Sequence, residues 1–333
     1  MNATSTTQRA VIVTIDTEEE GRWSAAYPRQ GNTVRNIARM PRIHAIFERI
    51  GARPTYLVDY PVASDQRSCE ILRGFTSRGA SEIGAHLHPW CNPPFDQADA
   101  AGRSATFPHN LPPRLQERKL TALVEEIEKR TGIRPTSYRA GRWGFNHTTV
   151  PVLESLGIHA DTSVTPLWWD ASEGGPQFAR APVVPYRLSR HDACVPGDSG
   201  VVEVPTSNLI ARWWGEPLEG LTRLIGRRPG MRRILVTLGL RSLRPEQYSL
   251  EQMVALSDTM ARRGLRIFNI MFHSSVALPG ATPYASSAVE LDRFCARLEG
   301  ILLHVRSQLR ATPLTLSEVP GFLGDAVLAG HPA

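Results

Sequence analysis

The chain has few cysteines, and their spacing carries no motif. Four cysteines occur among 333 residues, and no two have the Cys-x-x-Cys spacing of zinc knuckles and dithiol redox centres. This excludes a cysteine-based zinc module and a thioredoxin-like oxidoreductase. Free, scattered cysteines are typical of proteins that work in a reducing compartment.

Long apolar runs and charge blocks are also missing. Residues 1–9 are polar and lack the apolar core of a secretory signal, and no later run is long enough to span a bilayer. The formal net charge is +6, but the basic residues are spread out. The most basic stretch, residues 223–244, is interpreted as a solvated helix face, with an anion-binding or membrane-surface helix as the alternative. We expect a cytoplasmic protein with no transmembrane segment and no nucleic-acid partner; the oligomeric state is not indicated.

What the chain does have is a regular alternation of strands and helices. Residues 10–15 form a β-branched run typical of a strand buried on both faces, and residues 33–50 follow with apolar positions at helical spacing, ending at Gly51. Similar units recur as far as a closing strand at residues 313–316. The alternation predicts an α/β fold with parallel strands and right-handed crossovers. We expect one domain over residues 1–333, with an irregular insertion at 166–217.

Five predicted strands end in residues that can bind a metal ion or move a proton. In an α/β barrel the carboxyl ends of all strands meet at one face, so residues distant in sequence can act on one substrate. We therefore interpret the five segments as one hydrolytic metal site. They cover residues 14–18, 86–90, 138–143, 159–163 and 271–275.

Two of these segments offer metal ligands. His86 and His88 are one residue apart, which on a strand places both imidazoles on the same face, and neutral imidazole is a common ligand of Zn²⁺. Asp16 and Glu18 have the same spacing, and a carboxylate that closes a buried strand needs a partner or a cation. The alternative for residues 16–20 is a solvated acidic loop or a helix cap. The coincidence of five strand ends favours the site.

The other segments offer groups for proton transfer. As a catalytic acid, His273 needs a carboxylate that holds its tautomer, and Asp161 is the predicted carboxylate. Arg139 is predicted to pair with Asp16 and keep it ionised. The alternative for His273 is a core histidine held by a local hydrogen bond.

Tryptophans are concentrated in the predicted insertion. Aromatic pairs on a loop suit stacking on sugar rings, but packing of the insertion explains them equally well. The pairs are Trp168 with Trp169 and Trp213 with Trp214.

The ordered set of motifs resembles the polysaccharide deacetylase superfamily, that is, the NodB-homology domains of carbohydrate esterase family four. It is most similar to a divergent bacterial branch with Asp-Thr-Glu-Glu and His-x-His-Pro-Trp motifs, which lie here at 16–19 and 86–90. The resemblance covers most of the chain. It implies a distorted (β/α) barrel of about seven parallel strands with loop insertions.

The resemblance also implies catalytic roles. Asp16 matches the general base that acts on the attacking water, and Arg139 matches the arginine that orients this base. His273 matches the general acid, and Asp161 matches the carboxylate that tethers it. Trp90, Trp143 and Tyr284 are expected to contact the substrate.

The metal ligands depart from the family pattern. The family's second aspartate falls at Thr17, which is a poor ligand, so Glu18 is expected to bind the ion, with Glu19 left as the alternative. The family's two histidines are four residues apart, whereas His86 and His88 are two apart. The expected ion is Zn²⁺, with Co²⁺, Ni²⁺ or Mn²⁺ as alternatives.

Together these residues predict a metal-dependent hydrolase that removes an N-acyl group, with N-acetyl as the expected one, from a sugar, a glycan precursor or a small acylated metabolite. One alternative is a glycoside hydrolase that uses Asp16 and Asp161 as paired carboxylates. Another is a metal-free carbohydrate-binding or regulatory homologue, which the departure at Thr17 makes conceivable.

Overall fold

The computed structural model describes residues 8–24, 27–77, 79–96, 102–170, 174–212, 214–225 and 231–328. The strands within these ranges are β1 (Ala10–Thr17), β2 (Pro54–Val58), β3 (Glu82–Leu87), β4 (Ser137–Ala140), β5 (Ala160–Asp161), β6 (Tyr186–Arg187), β7 (Val202–Glu203), β8 (Asn208–Ile210), β9 (Leu240–Ser242), β10 (Ile267–His273) and β11 (Thr312–Pro313).

Helices connect most of these strands, and short 3₁₀ turns supplement them. No helix in the described ranges is both long enough and apolar enough to cross a membrane. The α-helices are α1 (Met40–Ile50), α2 (Tyr60–Ser64), α3 (Gln66–Thr76), α4 (Pro113–Thr131), α5 (Val150–Ser155), α6 (Gly215–Ile225), α7 (Met231–Thr237), α8 (Leu250–Arg262), α9 (Ala288–Leu303), α10 (Val319–Leu323) and α11 (Asp325–Leu328).

Seven parallel strands lie side by side in the order β10-β1-β2-β3-β4-β5-β7. β6 pairs antiparallel with β7 at the edge, and β11 pairs with the first residues of β1. The predicted distorted barrel of about seven parallel strands is confirmed. Because these strands run in one direction, their carboxyl ends meet at one face.

The β8–β9 hairpin lies against the free edge of β10. The backbone N–H of Met271 donates to the carbonyl of Leu243 over 3.0 Å, and that of Asn269 donates to Ser207 Oγ over 2.9 Å. These bonds satisfy backbone groups that an uncovered edge strand would expose. The predicted insertion at 166–217 contains β6, β7 and β8, so part of it belongs to the barrel wall.

Side chains on β1 alternate between two environments. Val13 and Ile15 pack in the main hydrophobic core with the surrounding helices, whereas Ile12 belongs to a second apolar cluster inside the barrel that includes residues of α10. With the two-residue period of a strand, Thr14 and Asp16 continue the inward row of Ile12. The barrel interior is therefore apolar near the amino ends of the strands and polar near the carboxyl ends.

Helix α1 shows how local sequence sets an element's end. It begins at Met40, later than the predicted start at residue 33, since residues 37–39 form a separate 3₁₀ turn. It ends before Gly51, as predicted. Gly51 has a φ of 68°, in the left-handed region, and its N–H donates to the carbonyl of Glu48 over 3.2 Å.

Replacing Gly51 by alanine should destabilise the protein by about 1 kcal/mol, because a Cβ disfavours the left-handed conformation. Gly220→Ala is the matched control: Gly220 lies inside α6, is exposed, and has no atoms near the added Cβ. That variant should gain up to about 1 kcal/mol. Urea unfolding midpoints measure both changes, and shifts of the same sign would contradict this account.

Candidate active site

Three predicted metal ligands converge at the carboxyl ends of β1 and β3. Glu18 follows β1, His86 lies near the end of β3, and His88 follows that strand. Glu18 Oε2 lies 3.5 Å from His86 Nε2 and 3.3 Å from His88 Nε2. All three side chains are buried.

The hydrogen bonds of the two imidazoles indicate their tautomers. His86 Nδ1 lies 2.9 Å from the carbonyl oxygen of Arg139, and His88 Nδ1 lies 3.1 Å from Glu19 Oε2. Both partners are acceptors, so each Nδ1 carries a proton and each Nε2 is left with a lone pair toward Glu18. His88 Nε2, although buried, makes no hydrogen bond to any residue in the described part of the chain.

This donor set fits a divalent cation. In a tetrahedral zinc site with bonds of about 2.0–2.1 Å, neighbouring ligand atoms lie about 3.3 Å apart. The observed separations of 3.3 and 3.5 Å between Glu18 Oε2 and the imidazole nitrogens agree with that spacing. Two imidazoles and one carboxylate are also the ligands of catalytic zinc sites that keep a position open.

Glu19 lies at Nδ1 of His88, on the side of the ring away from Glu18. Glu18 is therefore the carboxylate that lies next to the Nε2 lone pairs of both histidines. Glu19 Oε1 accepts a hydrogen bond from the Trp90 indole over 3.0 Å, and the backbone N–H of Glu19 donates to Asp59 Oδ2 over 2.8 Å. Burial raises the pKa of Asp59 well above its usual range, and the nearby charge of Glu19 adds to this. The layer behind His88 thus consists of linked polar groups.

Trp90 packs beside the predicted ligand His88. Its ring stacks on His88 with centroids 4.1 Å apart, its indole N–H is bonded to Glu19, and the residue is only 5% exposed. The ring packs against a predicted ligand and holds it in place, and contact between Trp90 and a substrate stays a prediction.

The approach of β4 to His88 requires a glycine. A Cβ added at Gly141 would lie 2.4 Å from His88 Cδ2 and 2.4 Å from the carbonyl oxygen of Leu87. Packed atoms do not approach so closely, and one of the two is backbone. Gly141 therefore lets the end of β4 lie directly against the second histidine.

Asp16 lies beside this cluster and pairs with Arg139, as predicted. Arg139 Nη1 donates to Asp16 Oδ1, Nη2 donates to Thr14 Oγ1 over 2.7 Å, and Nε donates to the carbonyl of Thr162 over 3.0 Å. Burial acts to raise the pKa of Asp16, but Arg139 and two nearby histidines outweigh burial and lower it to about 2. Asp16 is therefore ionised at neutral pH.

His273 ends β10 in register with Asp16, and its Nε2 lies 3.5 Å from Asp16 Oδ2. Its Nδ1 lies 2.9 Å from Glu246 Oε1, and its backbone N–H donates to Glu246 Oε2 over 3.1 Å. Arg244 also pairs with Glu246. Burial acts to raise the pKa of Glu246, but His273 and Arg244 lower it to about 2. Glu246 thus holds His273, and the prediction that Asp161 does so is wrong.

Strand alternation explains that error. Thr162 Oγ1 accepts from Asn269 Nδ2 over 2.9 Å inside the barrel, and Ala160 belongs to the interior apolar cluster. Since successive side chains of a strand point to opposite faces, Asp161 faces away from the interior that His273 enters.

Asp161 instead forms a buried carboxyl pair with Glu203, its partner in register on β7. Ser163 Oγ donates to Asp161 over 2.7 Å, and the backbone N–H of Val164 donates to Glu203 over 3.0 Å. Burial raises the pKa of both carboxyls, and repulsion from Asp161 raises that of Glu203 further. The pair therefore retains a proton under conditions where exposed carboxyls are ionised.

Two other predicted substrate contacts are more exposed than Trp90. Trp143 is half-buried, and its ring centroid lies 5.9 Å from that of Trp168. Tyr284 is half-buried, its hydroxyl accepts from Gln247 Nε2 over 2.7 Å, and its ring meets Trp23 edge-on at 5.2 Å. Their contact with a substrate stays a prediction.

The remaining tryptophans of the insertion differ in environment. Trp169 is buried in a small apolar cluster, and Trp214 is 36% exposed. Position 213 lies outside the described residues, as do residues 226–230 of the basic stretch. Within that stretch Arg233 is exposed, as a solvated helix face requires, but Arg244 is turned toward Glu246 and His273.

Sequence reasoning missed Glu246 and Arg244, which complete the environment of His273. They follow the β8–β9 hairpin in a turn that has no strand or helix periodicity. Neither spacing nor composition marks an Arg-Pro-Glu sequence as part of a site. Glu203 gave a weak signal, because it lies in the strand-like run at 200–205.

Comparison with known proteins yields similarity in structure alone. No family model matches the sequence, and no curated protein matches it. A candidate polysaccharide deacetylase from Mycobacterium smegmatis is 17% identical, with 96% of this chain and 91% of that chain covered and a TM-score of 0.54. At this identity the likeness is one of fold, and it confirms the resemblance to polysaccharide deacetylases at that level.

Two further solved structures match with lower TM-scores. A family 4 carbohydrate esterase from Streptomyces lividans, in complex with acetate, is 12% identical over 90% of this chain and 89% of its own, with a TM-score of 0.42. A 4-alpha-glucanotransferase from Thermococcus litoralis is 15% identical over 93% of this chain and 40% of its own, with a TM-score of 0.49.

Replacing Glu203 by glutamine should stabilise the protein at pH 7. The folded pKa is raised above the ordinary 4.5, so the carboxyl's contribution to stability is fully present below that pH and is lost as the pH rises. Glutamine keeps the acceptor for Val164 and removes the charge. The free energy of unfolding should exceed that of the wild type by about 1–2 kcal/mol at pH 7 and match it near pH 4.

Guanidinium unfolding at the two pH values measures this difference. Glu117→Gln, at an exposed position of α4, is the control and should change stability little at either pH. Equal effects of the Glu203 substitution at both pH values would contradict the raised pKa.

Proposed function

We propose that the protein is a metal-dependent hydrolase that removes an N-acyl group, with acetyl as the expected one, from a sugar, a glycan precursor or a related small metabolite. One observation carries the proposal: Glu18 Oε2 and the Nε2 atoms of His86 and His88 converge beside an ionised Asp16. The fold shared with a candidate polysaccharide deacetylase supports it.

Glu18, His86 and His88 would hold the ion, with Zn²⁺ expected and Co²⁺, Ni²⁺ or Mn²⁺ as alternatives. When bound, such an ion polarises the acyl carbonyl and brings the pKa of water toward about 7. Arg139 and Glu19 hold the Nδ1 atoms and so keep both Nε2 lone pairs directed at the ion.

Asp16 is the proposed general base. Arg139 occupies Oδ1, so Oδ2 remains to take a proton from the attacking water. That oxygen lies 4.0 Å from His86 Nε2, between the predicted ligands and the acid. The oxygen of the deprotonated water then bonds to the acyl carbon.

His273 is the proposed general acid. Glu246 holds Nδ1, and Nε2 lies 3.5 Å from Asp16 Oδ2 and so faces the proposed base. As the carbon–nitrogen bond breaks, Nε2 gives its proton to the departing amine. The 3.5 Å separation from Asp16 Oδ2 provides a short route for the abstracted proton to return to His273. The products are a carboxylic acid and an amine.

A glycoside hydrolase receives no such support. That chemistry needs two carboxylates flanking the scissile bond, and Asp161 is buried, paired with Glu203 and turned to the outer face of the sheet. The metal-free homologue differs from the proposed hydrolase in metal content, which elemental analysis of the purified protein measures directly.

Replacing His86 by alanine should remove stoichiometric metal and abolish acyl hydrolysis, because one of two imidazole ligands is lost. The readouts are elemental analysis and acetate release from a panel of N-acetylated amino sugars. His191→Ala, at an exposed histidine away from the cluster, should behave as the wild type. Full activity in an ion-free His86 variant would eliminate the metal mechanism.

Replacing His273 by alanine should retain the metal and slow turnover by roughly 10²–10⁴, since only acid catalysis is lost. Glu246→Gln removes the carboxylate at Nδ1, so kcat should fall by a smaller factor while metal content stays unchanged. Steady-state kinetics beside elemental analysis separates the two variants. Loss of metal from either variant would instead indicate that His273 and Glu246 support the metal site and do not act in proton transfer.

A further inference from the structure

A small cavity of about 250 Å³ opens beside the β8–β9 hairpin, and Arg244, one of its lining residues, lies 3.5 Å from His273 Nδ1. Ligand pockets are usually roughly 300–1,000 Å³, so this one lies below the common range. Its walls come from three segments, residues 165–170, 206–208 and 236–248, together with the turn after β4, Phe107 and Met271. Two of the segments belong wholly or partly to the predicted insertion.

One wall of the cavity is aromatic. Trp143 and Trp168 line it with ring centroids 5.9 Å apart and planes inclined at 39°. Arg244 lies over the Trp143 ring at 5.8 Å from its centroid. Indole faces set at an angle present flat apolar surface, which suits the C–H faces of a sugar ring.

The other walls mix hydroxyl and amide groups with apolar and charged side chains. Thr165 and Thr206 line the cavity, and their hydroxyls are joined by a 3.1 Å hydrogen bond. Ser242 and Gln247 line the opposite hairpin side. Hydroxyl groups can both donate and accept, so these walls match a ligand with several hydroxyls of its own.

The cavity is connected to the proposed acid through Arg244. Arg244 lines it and also pairs with Glu246, the residue that holds His273. Met271 forms part of the lining and precedes His273 by two residues on the same face of β10. A ring held here therefore contacts Arg244, whose guanidinium lies 3.5 Å from His273 Nδ1.

We infer that this cavity binds the amine-bearing part of the substrate as one pyranose-sized ring. This rests on the proposed function and narrows its substrate to a free N-acylated monosaccharide or the terminal residue of a short conjugate. A space of about 250 Å³ matches one ring, whereas the interior of a polymer needs a groove that also holds the neighbouring rings.

Binding to the full-length protein, stripped of metal by a chelator, tests the inference without turnover. Calorimetry compares N-acetylglucosamine with its β-1,4-linked tetramer. The monosaccharide should bind, and the tetramer should bind within about threefold of it, because one terminal ring enters. Trp168→Ala should weaken monosaccharide binding about tenfold. The matched control Trp214→Ala, at an exposed tryptophan outside the cavity lining, should leave binding unchanged.

Three results would overturn the inference: no monosaccharide binding at roughly 10 mM, tetramer binding more than about tenfold tighter, or equal effects of the two tryptophan substitutions. Acetate release with added Zn²⁺ separates this inference from the proposed function. If the monosaccharide binds but no divalent ion supports its hydrolysis, the proposed hydrolase function is contradicted, whereas sugar binding by the cavity is not. Hydrolysis of the tetramer alone would contradict the cavity's role and leave the function standing.

Discussion

A fully buried guanidinium inside the barrel constrains much of the site. Removing the charge of Arg139 from water costs several kcal/mol unless an opposite charge and hydrogen-bond acceptors replace hydration. Asp16 supplies the charge, and Thr14 and Thr162 supply acceptors. The carbonyl of the same arginine receives the Nδ1–H of His86. One residue therefore fixes both the ionised Asp16 and the orientation of a predicted metal ligand, so the two halves of the site share one support.

The β8–β9 hairpin combines a structural and a chemical task. It covers the free edge of β10 through Leu243 and Ser207, and the turn that follows carries Glu246 to His273. The same hairpin lines the proposed sugar-binding cavity. Under the proposed mechanism, rate and substrate choice would be coupled, because the segment that orients His273 also shapes the cavity.

The strands and polar strand ends could be predicted, since buried parallel strands are apolar runs and their carboxyl ends share one face. Pairing of Asp16 with Arg139 followed from the need to neutralise buried charge. Asp161 was misassigned because the face that a side chain occupies depends on one residue of register. Glu246 gave no signal, because tertiary bonds of the hairpin to β10, and not local periodicity, place it.

The position of His88 depends on Gly141, which a search for the histidine motif alone would overlook. Beside His88 and the Leu87 carbonyl there is room for a hydrogen atom but not for a methyl group. A related chain could keep both histidines and still have lost its ion if a bulkier residue had pushed the second ring aside. Whether such a relative is active or degenerate should therefore be judged from the glycine and the histidines together.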